Sequence, residues 1–173
     1  LVGLMGAGKS AIGHRLARRL DMNFIVADSV IESEFGKTVS DIFELHGEAE
    51  FRQQERCIIR KLLQRPPHVM ASGGGAFIDP ETRHLIRQNS VSIWLRAGLD
   101  VLYERVHSRD DRPLLRNGEP RSILAALISE RYPIYALADL IVDSIDGPHD
   151  ETVNKVVWAI SKHPRLCGLA ESG

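Results

Sequence analysis

Four short apolar runs punctuate the chain: Phe24 to Ala27, His68 to Ala71, Val91 to Leu95 and Leu140 to Val142. Each is too short for a helix and reads as a buried strand. Between them the apolar positions change period. Ile12, Leu16 and Leu20 recur every four residues, which predicts a helix. Ser40 is placed to cap a second helix carrying Ile42, Phe43 and Leu45, then Ile58, Ile59, Leu62 and Leu63, broken near Gly47. Asp79-Pro80-Glu81 opens a third, with proline at the first helical position. Leu99 to Val106, Ser122 to Ala138 and Val153 to Ile160 complete the set, and Pro133 predicts a kink or break in the middle one of these. Strands alternating with helices predict an α/β fold around a mostly parallel sheet. No repeat or low-complexity tract interrupts the pattern.

His107 to Arg121, HSRDDRPLLRNGEPR, is the exception. It is charged, broken by Pro113, Gly118 and Pro120, and poor in apolar residues beyond Leu114-Leu115. A loop of this length in a compact domain is usually functional or disordered. The whole chain of 173 residues reads as one domain with a real core. Its 22 basic and 23 acidic residues nearly cancel, which argues against a general binder of nucleic acid or membrane surfaces. Cys57 and Cys167 fit neither a metal nor a redox spacing, so a reducing cytoplasm is the expectation. There is no apolar run long enough for a membrane span and no signal peptide pattern. The chain opens on Leu1-Val2, directly against a glycine cluster, which predicts that part of a first strand is missing ahead of it.

That cluster is GLMGAGKSAIG, residues 3 to 13. Gly3, Gly8, Lys9 and Ser10 match G-x-x-x-x-G-K-[ST]. Glycines let successive backbone N–H groups converge on a phosphate without Cβ clashes. The helix that follows aims its positive end at the same point. Lys9 adds a point charge toward the outer phosphates, and the Ser10 hydroxyl is a ligand for Mg²⁺. A phosphate cradle alone names no reaction, since switches, motors and small-molecule kinases share it. A single domain of this size with a charged loop points to a kinase that closes a lid.

The acceptor side has several candidates. Asp28 follows the first of the four runs, where such folds bind ligands; it is either a proton acceptor or a helix cap for residues 30 and 31. With Glu32 and Phe35 it shares one helix face. Arg52 follows Phe51 in GEAEFRQQE, and Arg131 opens RYPIY; each is either a ligand-binding arginine or a surface charge. The triplet Gly73, Gly74, Gly75 in SGGGAF ends a strand and suggests close approach of a ligand or backbone. Arg112, in DRPLL, is either a finger for the transferring phosphoryl group or a solvated loop charge.

Taken together, GLMGAGKS, Asp28 with Ile31-Glu32, GEAEFR, SGGGAF, RPLL, and RYPIY followed by Ala138-Asp139 resemble the shikimate kinase family. The match runs from Gly3 to about Asp143. It implies a three-layer P-loop fold, with a five-stranded parallel sheet flanked by helices, a mobile lid at about 107–121 and a shikimate-binding segment at about 28–60. It implies transfer of the γ-phosphoryl of ATP to the 3-hydroxyl of shikimate, with Mg²⁺, by a cytoplasmic monomer serving aromatic amino acid biosynthesis. Asp28, Lys9 and Arg112 would be catalytic. Gly3, Gly6, Ala7, Gly8, Lys9, Ser10 and Ala11 would hold the phosphates, with Arg105, Arg112 and Pro148 of the 145–149 loop also on the nucleotide. Asp28, Arg52, Gly73, Gly74, Gly75 and Arg131 would hold shikimate, the two arginines on its carboxylate.

One departure stands out. The family usually reads Asp-x-Asp after the second strand, and the first of those positions is Val26 here. Valine cannot hold a hydrated metal, so Mg²⁺ relies on Ser10, phosphates and water, or its site is weakened. Ala11 also replaces a common threonine. The competing expectations are a non-catalytic ligand-binding domain on the same scaffold, and a kinase for another small polyol acid such as gluconate.

Overall fold

In a computed structural model, residues 1–106 and 119–166 are described. Their elements run α1 (Lys9–Arg19), β1 (Asn23–Val26), α2 (Ala27–Phe35), α3 (Val39–Leu63), β2 (His68–Ala71), α4 (Pro80–Asn89), β3 (Ile93–Arg96), α5 (Leu99–Val106), α6 (Pro120–Tyr135), β4 (Leu140–Asp143) and α7 (His149–Ser161). β1 pairs parallel with β2, from Asn23 opposite His68 to Val26 opposite Ala71. β3 pairs parallel with β4, from Ile93 opposite Leu140 to Arg96 opposite Asp143.

Leu1 and Val2 join the two pairs. The Leu1 nitrogen donates to the Met70 carbonyl, and Ser72 N–H donates to Leu1 O at 3.1 Å. On the other side Val2 N–H donates to Ile93 O at 2.9 Å, and Leu95 N–H donates to Val2 O at 3.0 Å. Among the described residues four strands form, one fewer than expected, and the bridge from Val2 to Trp94 with these bonds stands between the two parallel pairs. The loops after Val2, β1, β2, β3 and β4 all leave from the carboxyl edge of the sheet, where open α/β folds bind ligands.

α1 packs on α7, β1 and β2, and α5 packs on α6. The main core gathers Val2, Leu4, Ile12, Leu16, Ile59, Phe77, Trp94, Leu95, Leu102, Tyr135 and Val156. A smaller cluster of Ala27, Ile31, Ile42, Phe51, Ile58 and Leu62 lies where α2 meets α3. It gives the segment carrying Asp28 and Arg52 its own apolar footing.

Several local expectations need correction. Thr38, not Ser40, caps α3: its hydroxyl accepts from Asp41 N–H, and Asp41 returns a bond to Thr38 N–H. Gly47 does interrupt that helix, with φ 76° and ψ 168°. Asp79 caps α4 with Pro80 at its first position, as expected. Pro133 does not break α6. It stands two residues from the helix end, and the next bond, from Ala136 N–H to Tyr132 O at 2.9 Å, still forms. Cys57 is exposed, because on α3 the neighbouring Ile58 and Ile59 take the buried face. Beyond α7 the chain stays tied to the body of the domain: Arg165 donates to the Arg87 carbonyl at 3.2 Å, and Leu166 packs on the core.

The Ala138-Asp139 pair has a structural role. Asp139 Oδ2 accepts from Ser92 N–H at 2.8 Å and from Ser92 Oγ at 2.6 Å, pinning the entry of β3 to that of β4. Burial pushes this carboxyl up, but the two Ser92 bonds hold it below the ordinary 3.8. Asp139→Ala is expected to cost about 1.5–3 kcal/mol in urea unfolding at neutral pH. A group with a lowered folded value contributes stability above its unfolded value, so that penalty should shrink as pH falls below 3.8 through the folded value.

Candidate active site

The loop from Gly3 to Gly8 turns tightly from Val2 into α1. Gly3, Gly6 and Gly8 have φ of 137°, 79° and 91°, a region costly for any side chain. Space excludes side chains as well. A Cβ on Gly3 would come 2.8 Å from the Leu95 carbonyl, and one on Gly6 2.8 Å from Val106 Cγ1. Gly8 caps α1 without any side-chain bond, so no side chain of the cap covers the first amides of the helix. Ala7 is buried, Ser10 is exposed in the first turn, and Ala11 follows it. Lys9 folds back over the loop, its Nζ donating to Gly3 O at 2.8 Å and Leu4 O at 3.0 Å.

Arg105, at the end of α5, links this loop to the far side of the sheet. It donates to Gly6 O at 3.3 Å, to Ser144 Oγ at 3.0 Å and to Ile145 O at 2.6 Å. Ser144 is buried just beyond β4, and Pro148 caps α7 at the end of the same loop. The 145–148 loop therefore borders the phosphate loop through one side chain.

A second group of residues meets around the turn after β2. Asp28 lies within the first turn of α2, whose cap is Val26, so Asp28 is not the capping residue. A Cβ on Gly73 would fall 2.5 Å from Asp28 Oδ1 and 3.2 Å from Glu55 Oε1. One on Gly75 would fall 2.2 Å from Arg52 Nη2. The tips of these acidic and basic side chains therefore lie directly against the turn, and a Cβ at Gly73 or Gly75 would push them from their present positions. Arg52 donates to Glu55 Oε2 at 2.6 Å, and its guanidinium lies 5.6 Å from the Phe43 ring centre and 5.3 Å from that of Phe51. Arg131 approaches from α6. Its Nε is buried without a hydrogen-bond partner among the described residues, and Glu130 Oε1 stands 3.8 Å away. Gly74 connects the two groups: a Cβ there would lie 3.7 Å from Gly3 O and 3.9 Å from the Tyr135 hydroxyl.

The family model described as shikimate kinase matches residues 5–161. The shikimate kinase of Paramagnetospirillum magneticum is 52% identical over 157 residues, which span 91% of this chain and 80% of that one. The chain belongs to the shikimate kinase family. A structure of shikimate kinase from Acinetobacter baumannii in complex with shikimate superposes with a TM-score of 0.85 at 32% identity, over 90% of this chain and 88% of that one. A gluconokinase from Sinorhizobium meliloti superposes with a TM-score of 0.60 at 23% identity, over 98% of this chain and 89% of that one; this likeness is one of fold. Membership makes the chain a small-molecule kinase with a P-loop nucleotide site.

Arg112 and most of the expected lid lie outside the described residues. Glu32, on the Asp28 face of α2, accepts from Val39 N–H at 3.1 Å and so braces the α2–α3 turn. Two residues of the site escaped the sequence reading. Glu55 is 1% exposed and holds Arg52; its signal was the three-residue spacing in GEAEFRQQE. Tyr135 is fully buried, four residues after Arg131, and reads in sequence as an ordinary core aromatic.

Burial pushes the Glu55 carboxyl above its ordinary 4.5; Arg52 opposes the shift, while Asp28 and Asp79 add to it. The folded chain therefore keeps this proton to higher pH than the unfolded chain does. Stability from this group is present below 4.5 and is lost as pH rises through the raised folded value. Glu55→Gln has no such titration. Melting curves across this window should show wild type losing ground to the variant as pH rises, with the difference constant above it; a difference independent of pH would contradict the assignment.

Proposed function

We propose that this protein transfers the γ-phosphoryl group of ATP to the 3-hydroxyl of shikimate, giving shikimate 3-phosphate and ADP. The observation that carries the reading is the meeting at Gly73–Gly75 of Asp28, the Arg52–Glu55 pair and the phosphate-loop backbone. Shikimate is a small ring with one carboxylate and three hydroxyls. Arg52 and Arg131 suit the carboxylate, because a guanidinium offers a planar fork of donors. Asp28 suits the hydroxyls, because an ionised carboxylate only accepts hydrogen bonds.

In this reading the amides of residues 3–10 and the Lys9 ammonium hold the β- and γ-phosphates. Arg105 and the 145–148 loop flank the base, consistent with their bonds to each other. The 3-oxygen attacks the γ-phosphorus, Asp28 takes the hydroxyl proton, and the bond from that phosphorus to the β–γ bridging oxygen breaks as ADP leaves. Such transfer depends on position and charge more than on covalent chemistry. Arg112 would add positive charge as the segment at 107–121 covers the site. The exposed Ser10 hydroxyl at the head of α1 fits Mg²⁺ carried in by the phosphates, whose charge the ion would neutralise. Val26 offers no donor on the opposite side, and no group of three or more His, Cys, Asp or Glu residues among the described residues could hold a metal ion. The reading extends to one domain acting as a monomer in the cytoplasm. Among the described residues no helix is long and apolar enough to cross a membrane.

ADP release should require shikimate and Mg²⁺ together. Release with gluconate but not shikimate would overturn the reading, as would binding of an aromatic effector with no release. Arg52→Ala and Arg131→Ala should each raise the shikimate KM roughly ten- to hundredfold, the cost of a charged hydrogen bond, with smaller changes in kcat. Asp28→Asn should remove most turnover and leave ATP affinity nearly intact. Val26→Asp should lower the Mg²⁺ concentration for half-maximal rate. It should also raise the melting temperature, since aspartate at an N-cap is worth about 1 kcal/mol.

A further inference from the structure

We propose that Tyr135 is a positioning residue for the acidic substrate, its hydroxyl locking the Gly73–Gly75 turn to the helix that presents Arg131. The inference rests on the shikimate reading above and adds a residue to it.

Tyr135 is fully buried, in contact with the rings of Phe77, Trp94 and Tyr132 at centroid separations of 6.4, 5.9 and 6.4 Å. Phenylalanine would fill that space. A hydroxyl in such surroundings is unfavourable unless it is bonded, and this one donates to the carbonyl of Gly74. Gly74 is the middle residue of the turn whose neighbours face Asp28, Glu55 and Arg52. Burial pushes the phenol up to about 12, while Arg131 opposes the rise by charge and hydrogen bonding, and Arg52 by charge. Both carboxylate-binding arginines therefore lie within electrostatic reach of this hydroxyl, and the buried phenol stays a donor throughout the pH range of the reaction. Arg131 sits one helical turn before Tyr135, so the two side chains share a face of α6. The bond ties the middle of the turn directly to the helix bearing Arg131.

The test is Tyr135→Phe in the full chain, which keeps the ring and removes the hydroxyl. Shikimate KM should rise roughly three- to tenfold, as for one lost hydrogen bond. The ATP KM should change less than twofold, roughly, because the phosphate loop is not held by this bond. In the Arg131→Ala background the same change should add little, since the hydroxyl acts through the arginine's placement. An unchanged shikimate KM overturns the proposal. Equal rises in both KM values, or a fully additive double variant, also overturn it, because a structural tyrosine would behave that way. Wild-type protein that fails to phosphorylate shikimate would overturn the kinase reading itself, and the role of Tyr135 with it.

Discussion

Four backbone hydrogen bonds place Leu1 and Val2 between two separate strand pairs, and the chemistry of the molecule is arranged from that point. With Val2 central, the phosphate loop that follows it starts in the middle of the carboxyl edge of the sheet. β1 and β2 deliver Asp28 and the glycine turn to one side. β3 and β4 deliver Arg105, by way of α5, and the Ser144–Pro148 loop to the other. The two groups of side chains thus meet across the segment Leu1-Val2.

Both halves of the site are built on glycines, in different settings. In the phosphate loop the backbone takes positive φ, and Leu95 and Val106 crowd the space a side chain would need. After β2 the backbone of Gly73, Gly74 and Gly75 is free of that constraint; there the tips of Asp28, Glu55 and Arg52 occupy the space a Cβ on Gly73 or Gly75 would take. One cluster permits the tight turn into α1, and the other leaves room for charged groups of opposite sign. Gly74 faces both Gly3 and Tyr135, so the two requirements meet at a single residue.

Much of this was legible in the sequence. β2 was read at its observed bounds, and α5 also, because their apolar patterns begin and end at sharp changes of composition. Ala27 was read as strand but opens α2, since an alanine after valine suits either period. The cap of α3 was misplaced by two residues because Thr38 and Ser40 are both capping types, and the deciding signal was Asp41 at the third position. The phosphate loop was legible because its motif is contiguous. Asp28, Arg52 and Arg131 stood out locally as candidates with an alternative each, and the family pattern gave them their roles, since separate elements bring them together. Glu55 showed only its three-residue spacing from Arg52, and Tyr135 gave no sign of a site role, because a core tyrosine shows its partners only after folding.

Lys9 illustrates how such a loop manages its own charge. Its ammonium is already coordinated by two carbonyl oxygens of the loop it guards. In the kinase reading a phosphate reaching this ammonium competes with those oxygens, so nucleotide capture would carry a measure of ligand exchange at nitrogen. The net gain is the difference between anionic and neutral acceptors, smaller than a bare ion pair would give. The same exchange works in reverse: as the departing diphosphate loosens, the carbonyls compete for the cation and ease product release.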